Sequence, residues 1–208
     1  MNIIDLTHEI DSKMPVYRGD KNVELYKTKD FTKDGFTNYL FCSEMHSGTH
    51  IDGPMHLTQS NKYISEIDIN NLTGKGKIID VSNQKEIFWK SIYSEIIKEN
   101  DILILYTGYS DIFDKPEYFF SHPVLTNEFC EEIIKRKIKL IGFDMPSPDN
   151  YPFLIHKKLL ESNIFIVENL TNLKSLLNTE NFFFMALPLK IKADSSFVRS
   201  VAIVDFYG

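Results

Sequence analysis

Residues 46–56 read His-Ser-Gly-Thr-His-Ile-Asp-Gly-Pro-Met-His, and this segment holds three of the six histidines in the 208-residue chain. Imidazole and carboxylate groups are ligands that borderline divalent metals favour, and three protein ligands plus water leave the open position that hydrolysis needs. The two glycines and the proline disfavour a helix. We therefore interpret the segment as a strand that ends in a turn, with His50 and Asp52 pointing the same way.

A single histidine of this segment is most often a surface residue or an ordinary hydrogen-bonding group. Three of them with Asp52, bracketed by glycine and proline directly after an apolar run, favour a metal site instead. The segment contains neither a CxxC pair nor the helical HExxH pattern. A structural zinc site and the common zinc-protease arrangement are therefore disfavoured.

Strands and helices are interleaved along the rest of the chain. The run 101–106 is apolar throughout, as expected of a strand covered on both faces. The further predicted strands are 2–6, 36–45, 77–81, 138–143, 164–167, 182–189 and 197–206. Helices are predicted over 85–98, with Trp89 used for packing, from Thr126 or Asn127 onward, and around 156–160. We expect one α/β domain spanning 1–208, a mixed sheet flanked by helices.

The composition excludes several classes of function. A net charge of -6 and scattered lysines argue against a nucleic-acid partner. No apolar stretch approaches the roughly 18 residues of a membrane span. The first residues carry an acid and no basic region, so we expect no secretory signal and a cytoplasmic protein. Cys42 and Cys130 are isolated in sequence, and we interpret each as a small buried hydrophobic residue.

The histidine segment resembles the HxGTHxDxPxH signature of the metal-dependent cyclase-like hydrolases, a family that includes kynurenine formamidases (arylformamidases) and isatin hydrolases. Other family-like segments extend the resemblance over nearly the whole chain. They are 5–8, 14–20, 107–109, 118–119, 122–123, 156–160, 168–173 and 187–190. By this resemblance we expect a cyclase-like fold of the swivelling β/β/α type.

The resemblance also implies a ligand set. The first two histidines and the aspartate of the signature, here His46, His50 and Asp52, are expected to hold one metal ion. Asp52 is expected to bridge to a second ion, completed by a downstream histidine and a glutamate 12 residues beyond it. His156 and Glu168 have that spacing. The resemblance implies zinc or manganese as the cofactor, with one or two ions per chain.

Two further residues take roles from the resemblance. His56, the last histidine of the signature, resembles the general acid/base of the family, since imidazole exchanges protons near neutral pH. Tyr17 stands where members acting on aromatic amides often carry tryptophan, and an aromatic ring there can stack on a substrate. We interpret His8 and His122 as structural. The segment 193–199 lacks the glycine and proline usual in the family, and no role is assigned within it.

The resulting prediction is a metal-dependent hydrolase of a non-peptide C–N bond. Arylformamidase activity of the N-formylkynurenine type, which belongs to tryptophan catabolism, is the leading hypothesis. Hydrolysis of another cyclic amide or a lactone, as in isatin hydrolases, is the first alternative. A non-catalytic small-molecule-binding protein that kept the fold is the second. The family further implies a homo-oligomer, a dimer or tetramer.

Overall fold

The structure, a computed structural model, describes residues 2–205. Its strands are β1 (Asn2–Asp5), β2 (Glu24–Lys29), β3 (Asn38–Cys42), β4 (His50–Asp52), β5 (Thr73–Asp80), β6 (Glu86–Ile87), β7 (Ile102–Tyr106), β8 (Val124–Leu125), β9 (Leu140–Phe143), β10 (Phe165–Glu168), β11 (Phe182–Pro188) and β12 (Ser195–Val204). Its α-helices are α1 (Phe31–Asp34), α2 (Tyr93–Ile96), α3 (Asn127–Lys135) and α4 (Leu154–Glu161). Short 3-10 turns lie between several of these elements.

Seven strands form a mixed sheet that closes on itself. Their order is β12-β11-β5-β7-β9-β10-β4, and β4 pairs with β12 as well as with β10. The three pairings within β5-β7-β9-β10 are parallel, and the others in the ring are antiparallel. Strand β1 adds to the far end of β12. The short strand β4, which carries two of the predicted ligands, is therefore the strand that closes the ring.

The two faces of the closed sheet pack into two different cores. In β7 the side chains of Ile102 and Ile104 join the cluster inside the ring, whereas Leu103 and Leu105 join a cluster on the outside. Residues of α3 and α4 belong to the outer cluster. Both faces of β7 are thus buried, which explains its continuous apolar sequence.

A hairpin formed by β2, β3 and the connecting helix α1 belongs to neither core. None of the residues in these three elements is buried. Aromatic side chains are nevertheless frequent on it, and Phe31 is 69% exposed. A two-stranded hairpin alone is marginally stable in water, so this apolar arm is unusual on a free surface.

Most sequence predictions of secondary structure are confirmed. Each predicted strand is present with shifted ends, and residue 206 of the last one lies outside the described residues. Helix α3 begins after the predicted cap Thr126, whose hydroxyl accepts from the Phe129 amide. Helix α4 is present around His156. Strands β2, β6 and β8 were not predicted.

The predicted helix over 85–98 is wrong. Only Tyr93–Ile96 is helical, and Glu86–Ile87 pairs instead with Val124–Leu125 as a short parallel strand. Trp89 packs against the outer core with the guanidinium of Arg136 over its ring, so its packing role is confirmed without the helix. Of the isoleucines whose spacing suggested a helix, Ile97 is buried and Ile96 is partly buried against the outer core, whereas Ile92 is exposed.

One of the two cysteine predictions is confirmed and the other is wrong. Cys130 is buried in α3, as expected, and burial raises the pKa of its thiol to about 11. Cys42 is exposed at the end of β3, so the prediction that it is buried is wrong. The error follows from the hairpin, which has an apolar sequence but no core to enter.

The single α/β domain with a mixed sheet is confirmed. Closure of the sheet was not predicted, and the swivelling β/β/α arrangement with flanking helices stays a prediction. Within residues 2–205, no helix combines the length and the apolar character needed to cross a membrane.

Candidate metal centre and catalytic pocket

Two neighbouring strands place the first group of predicted ligands. His50 on β4 is the register partner of Glu168 on the antiparallel strand β10. Ile51, between His50 and Asp52, points into the inner core beside its partner Val167. Since side chains alternate along a strand, His50, Asp52 and Glu168 share the outer face of the ring. All three are buried there.

Asp52 lies at the centre of the donor cluster. Its Oδ1 is 2.9 Å from Nδ1 of His46 and 3.4 Å from Nε2 of His50. Its Oδ2 is 2.9 Å from Nε2 of His156, which helix α4 carries to the cluster from 104 residues away. Nε2 of His50 is also 3.5 Å from Oε2 of Glu168. Four side chains thus surround one buried carboxylate.

The charges of this cluster are strongly coupled. Burial, and then the adjacent charge of Asp52, holds the pKa of Glu168 well above its ordinary value. Burial works against ionisation of Asp52 too, but His46 and His50 hold the pKa of Asp52 well below its usual range. Burial lowers the pKa of His46, but the charge of Asp52 and the hydrogen bond to Asp194 raise it to about 10. Two buried acids in contact create a strong demand for positive charge.

Unpaired atoms in the cluster fit a bound cation. Nε2 of His50 and Oε1 of Glu168 are buried without a hydrogen-bond partner. Buried polar atoms are normally paired, so such atoms indicate a missing ligand. His50, Asp52 and Glu168 each offer an atom, all within 4.8 Å of one another, and a second such group is His46, Asp52 and His56. Nitrogen and carboxylate donors of this kind suit zinc or manganese.

The backbone around His50 fixes the direction of its ring. Nδ1 of His50 donates to the carbonyl of Gly48 at 2.8 Å, and a carbonyl only accepts, so Nε2 keeps its lone pair as the atom available to a metal ion on the side of Asp52 and Glu168. Gly48 has φ of +58°, where glycine is favoured, and a Cβ there would lie 2.7 Å from Cε of Met14. The first glycine of the signature therefore serves the ring orientation.

Polar contacts tie the signature to the residue after Glu168. The hydroxyl of Thr49 donates to the carbonyl of Asn169 at 2.6 Å. The side-chain amide of Asn169 donates to the Gly48 carbonyl, and its oxygen accepts from the Tyr118 hydroxyl. These buried bonds lock β4 and β10 together at the ligand set.

His56 follows the turn after β4 and lies beside the cluster. Its ring centroid is 3.8 Å from that of His46 and 5.4 Å from that of His156. Nδ1 of His56 is 3.3 Å from Oδ2 of Asp194, and the same oxygen is 2.7 Å from Nε2 of His46. These contacts lower the pKa of Asp194, chiefly through the His46 and His56 hydrogen bonds.

A cavity of about 260 Å³ opens onto the cluster. His56, His156 and Glu168 form part of its wall. Aromatic side chains form another part, namely Tyr17, Phe119 and Phe153. Tyr17 meets Phe119 edge to face, with ring centroids 5.9 Å apart. The cavity therefore combines a polar floor of metal donors with apolar surfaces suited to a planar ring.

All seven predicted site residues lie at this one place. The predicted ligands converge on Asp52, and the other two residues, His56 and Tyr17, line the cavity. Their roles, and the division of ligands between two ions, stay predictions. Neither His8, which stacks on Phe113, nor His122, which donates to the Pro123 carbonyl, lines the cavity.

Asp194 is the site residue that sequence reasoning missed. It lies 138 residues beyond His56 in the irregular segment before β12, so no periodicity or spacing connects it to the cluster. The pairing of β12 with β4 brings it there, with Ser195 opposite Asp52. A lone aspartate in an unmatched loop gives no signal in a single sequence.

Comparison with known proteins assigns a family. The family model Cyclase, described as "Putative cyclase", matches residues 4–150. The chain belongs to this cyclase family.

Relatives of this cyclase-family chain cover nearly all of it. An uncharacterized protein of Methanocaldococcus jannaschii is 35% identical over 206 residues, covering 98% of this chain and 100% of the relative. Kynurenine formamidase of Bacillus cytotoxicus is 29% identical over 206 residues, covering 95% of each chain. The crystal structure of an isatin hydrolase bound to the product analogue thioisatinate superposes with a TM-score of 0.87 at 22% identity, covering 97% of this chain and 92% of that one. The cyclase-family fold is therefore shared over the full domain.

Proposed function

We propose that this chain is a metal-dependent hydrolase that cleaves a non-peptide C–N bond, with arylformamidase activity as the leading assignment. The observation that carries the proposal is a cluster of five side chains with nitrogen or oxygen donors, four of them around buried Asp52, beside an aromatic-lined cavity. The sequence resemblance gives His46, His50, Asp52, His156 and Glu168 as the ligands, for one or two zinc or manganese ions. The orphaned atoms of His50 and Glu168 support them.

The protein residues divide the chemistry between them. When bound, a divalent cation at this position makes water a better nucleophile near neutral pH and withdraws charge from a carbonyl. His56, at the cavity wall, accepts a proton from the attacking water at Nε2 and passes it to the departing nitrogen, a role worth roughly 10²–10⁴-fold. Tyr17, Phe119 and Phe153 hold the aromatic part of the substrate and keep bulk water away from the scissile bond.

Features of the cavity favour an aryl formamide of the N-formylkynurenine type. Asp20 and Glu44 also line the cavity, and burial followed by the charge of Glu44 raises the pKa of Asp20. Their oxygens are acceptors for the N–H groups of an anilide or an ammonium group. Kinship to the Bacillus cytotoxicus kynurenine formamidase supports the same substrate class and a place in tryptophan catabolism.

A cyclic amide or lactone is the second candidate substrate. The overall fold superposes on an isatin hydrolase, and a planar bicyclic ring also suits the aromatic wall. A non-catalytic binding protein is the remaining alternative. Such a protein would not need an acid/base histidine such as His56 beside the five predicted ligands. A cytoplasmic location remains a prediction of the sequence.

We also propose that the chain forms a homo-oligomer, a dimer or tetramer, through the exposed hairpin of β2 and β3. Tyr26, Tyr39 and Phe41 are each more than 40% exposed. A groove of about 860 Å³ runs from Phe41 along exposed Leu189 of the segment after β11. A second copy that covers these surfaces would supply the core that the hairpin lacks.

The function is tested on purified protein by metal analysis and a substrate panel. We expect one or two equivalents of zinc or manganese per chain. Formylated anilines, isatin and simple lactones are assayed before chelation, after chelation and after metal is restored. Formanilides should be hydrolysed, and chelation should abolish their turnover until metal is returned. Absence of turnover of every compound by metal-loaded protein would favour the binding-protein alternative.

The His56 assignment has a separate test. His56→Ala should lower kcat by roughly 10²-fold or more while zinc content stays at the wild-type level. Full activity of His56→Ala would remove the acid/base role even where the metal site is correct.

A further inference from the structure

We propose that Asp194 is a positioning residue that sets the ring orientation and tautomer of His56 and steadies His46. This inference rests on the proposed function, because Asp194 would orient the ring of His56, the proposed acid/base residue. Oδ2 of Asp194 is 2.7 Å from Nε2 of His46 and 3.3 Å from Nδ1 of His56. One carboxylate oxygen thus joins a predicted metal ligand to the predicted proton carrier.

The contacts determine which nitrogen of each ring carries hydrogen. A carboxylate only accepts hydrogen bonds, so His56 donates from Nδ1 and keeps Nε2 free for a substrate proton. Both nitrogens of His46 face a carboxylate oxygen, Nε2 that of Asp194 and Nδ1 that of Asp52 at 2.9 Å, so Nε2 donates to Asp194 and Nδ1 is the nitrogen from which a bound metal ion would displace hydrogen. Such a carboxylate partner orients a metal-bound histidine and strengthens its ligation.

The backbone holds Asp194 in place independently of its side chain. The Gly53 amide donates to the Asp194 carbonyl at 3.0 Å, and the Ile64 amide donates to the Ala193 carbonyl at 2.9 Å. A Cβ at residue 53 would lie 2.6 Å from the Asp194 carbonyl oxygen, a distance that real Cβ atoms do not show. Gly53, directly after Asp52, therefore permits the close approach of the loop that carries Asp194.

Loss of the Asp194 carboxylate should have a different effect from loss of a residue that only packs. Loss of its charge should leave the cluster folded but release the His56 ring into both tautomers and other rotamers. Only the Nδ1–H form offers Nε2 as the acceptor, so the fraction of competent enzyme falls. Steering of His46 is lost at the same time, and removal of such a partner typically weakens metal binding or activity by 10–100-fold.

The first test compares Asp194→Asn and Asp194→Glu with Lys192→Ala, an exposed residue of the same loop. In zinc-loaded wild-type protein, ¹⁵N shifts of the His56 imidazole should show hydrogen on Nδ1. Asp194→Asn should lose that signature, and Asp194→Glu should restore part of it. At saturating zinc, kcat for a formanilide should fall about 10²-fold in Asp194→Asn with KM within about threefold. Lys192→Ala should match wild type in both measurements.

The second test leaves the carboxylate intact. Gly53→Ala should push the loop away and produce the same loss of the Nδ1–H signature, with zinc affinity lowered about tenfold or more. Folding of each variant is checked by thermal unfolding. If Asp194→Asn does not fold, the measurements on Asp194→Glu and Gly53→Ala test the proposal in its place.

Two results would overturn the inference. One is an unchanged His56 tautomer with kcat within threefold of wild type in Asp194→Asn. The other is loss of zinc from His56→Ala, because it would make His56 a ligand grouped with His46 and Asp52. The imidazole shifts need no substrate, so they decide the role of Asp194 even if the panel shows that the proposed activity is absent.

Discussion

His50 and Glu168 are register partners on adjacent antiparallel strands, and their side chains meet at 3.5 Å between Nε2 and Oε2. The pairing means that two predicted ligands separated by 118 residues are fixed relative to each other by backbone hydrogen bonds. A site built on paired strands holds its geometry more firmly than a site built on loops. Ligand substitutions should therefore change charge and metal binding without unfolding the sheet.

Glu168→Gln should weaken zinc binding by about tenfold or more and stabilise the metal-free protein at higher pH. Folded Glu168 keeps its proton above the ordinary pKa of about 4.5, whereas the unfolded chain releases it. The contribution of Glu168 to the stability of metal-free wild type therefore falls as pH rises above 4.5, and the variant lacks this loss. At pH 8 the melting temperature of the variant should exceed that of wild type by about 2–4 °C for each kcal/mol by which its free energy of unfolding is larger.

Thermal unfolding after chelation and zinc titration check this prediction. The two proteins should unfold alike near pH 4.5, which serves as the internal control. Wild-type zinc affinity in Glu168→Gln would contradict the ligand role of Glu168.

Tyr17→Ala should raise KM for an aryl formamide by about three- to tenfold, because one aromatic wall contact is lost. Tyr17→Phe keeps the ring and should stay within about twofold of wild type. Steady-state kinetics with a formanilide measure both. Equal KM values for wild type and Tyr17→Ala would show that the ring does not contact substrate.

Introducing negative charge on the hairpin should weaken self-association. Tyr26 and Leu40 are register partners on β2 and β3, and both are exposed. The double substitution Tyr26→Glu, Leu40→Glu should raise the dissociation constant at least about tenfold, since buried unpaired charges strongly disfavour an interface. Analytical ultracentrifugation measures this, with Lys137→Glu as a surface control. A monomeric wild-type protein at micromolar concentration would contradict the oligomer proposal.

Acid should destabilise the protein through His8. Burial lowers the pKa of His8 to about 4, against an ordinary value of 6.5, with Asp114 opposing the shift. Between these values the unfolded chain binds more protons, so stability falls as pH drops from 6.5 to 4. The loss is about 2 kcal/mol once screening at a partly exposed ring is allowed for.

His8→Phe removes the titrating group and keeps the stack on Phe113. Urea unfolding of metal-free protein at several pH values should show a shallower acid loss in His8→Phe than in wild type. Parallel curves for the two proteins would assign the acid sensitivity to other groups.

Local patterns in the sequence predicted the elements that have a continuous apolar sequence or a clear capping residue. Strand β7 and helix α3 have unbroken apolar or capped sequences, and both are present. The segment 85–98 was misassigned because its partner, Val124–Leu125, is distant in sequence and converts part of the expected helix into a strand. Closure of the sheet depends on three residues of β4, too few for any pattern to reveal.

The site shows the same limit. Imidazole and carboxylate chemistry marked the segment 46–56, but only the family resemblance connected His156 and Glu168 to it. Asp194 carried no signal because its position results from the pairing of β12 with β4 and from a close backbone approach to Gly53. Both are long-range packing events that spacing along the chain does not encode.

The strand that closes the sheet also carries two of the predicted metal ligands. β4 consists of only His50, Ile51 and Asp52, and it is bonded to β10 on one edge and to β12 on the other. On the proposed ligand assignment, metal binding and closure of the ring are thermodynamically linked, so each strengthens the other by the same free energy. The backbone amide protons of β4 should exchange with solvent more slowly when a metal ion is bound. Their exchange rates would therefore report whether the metal site is occupied.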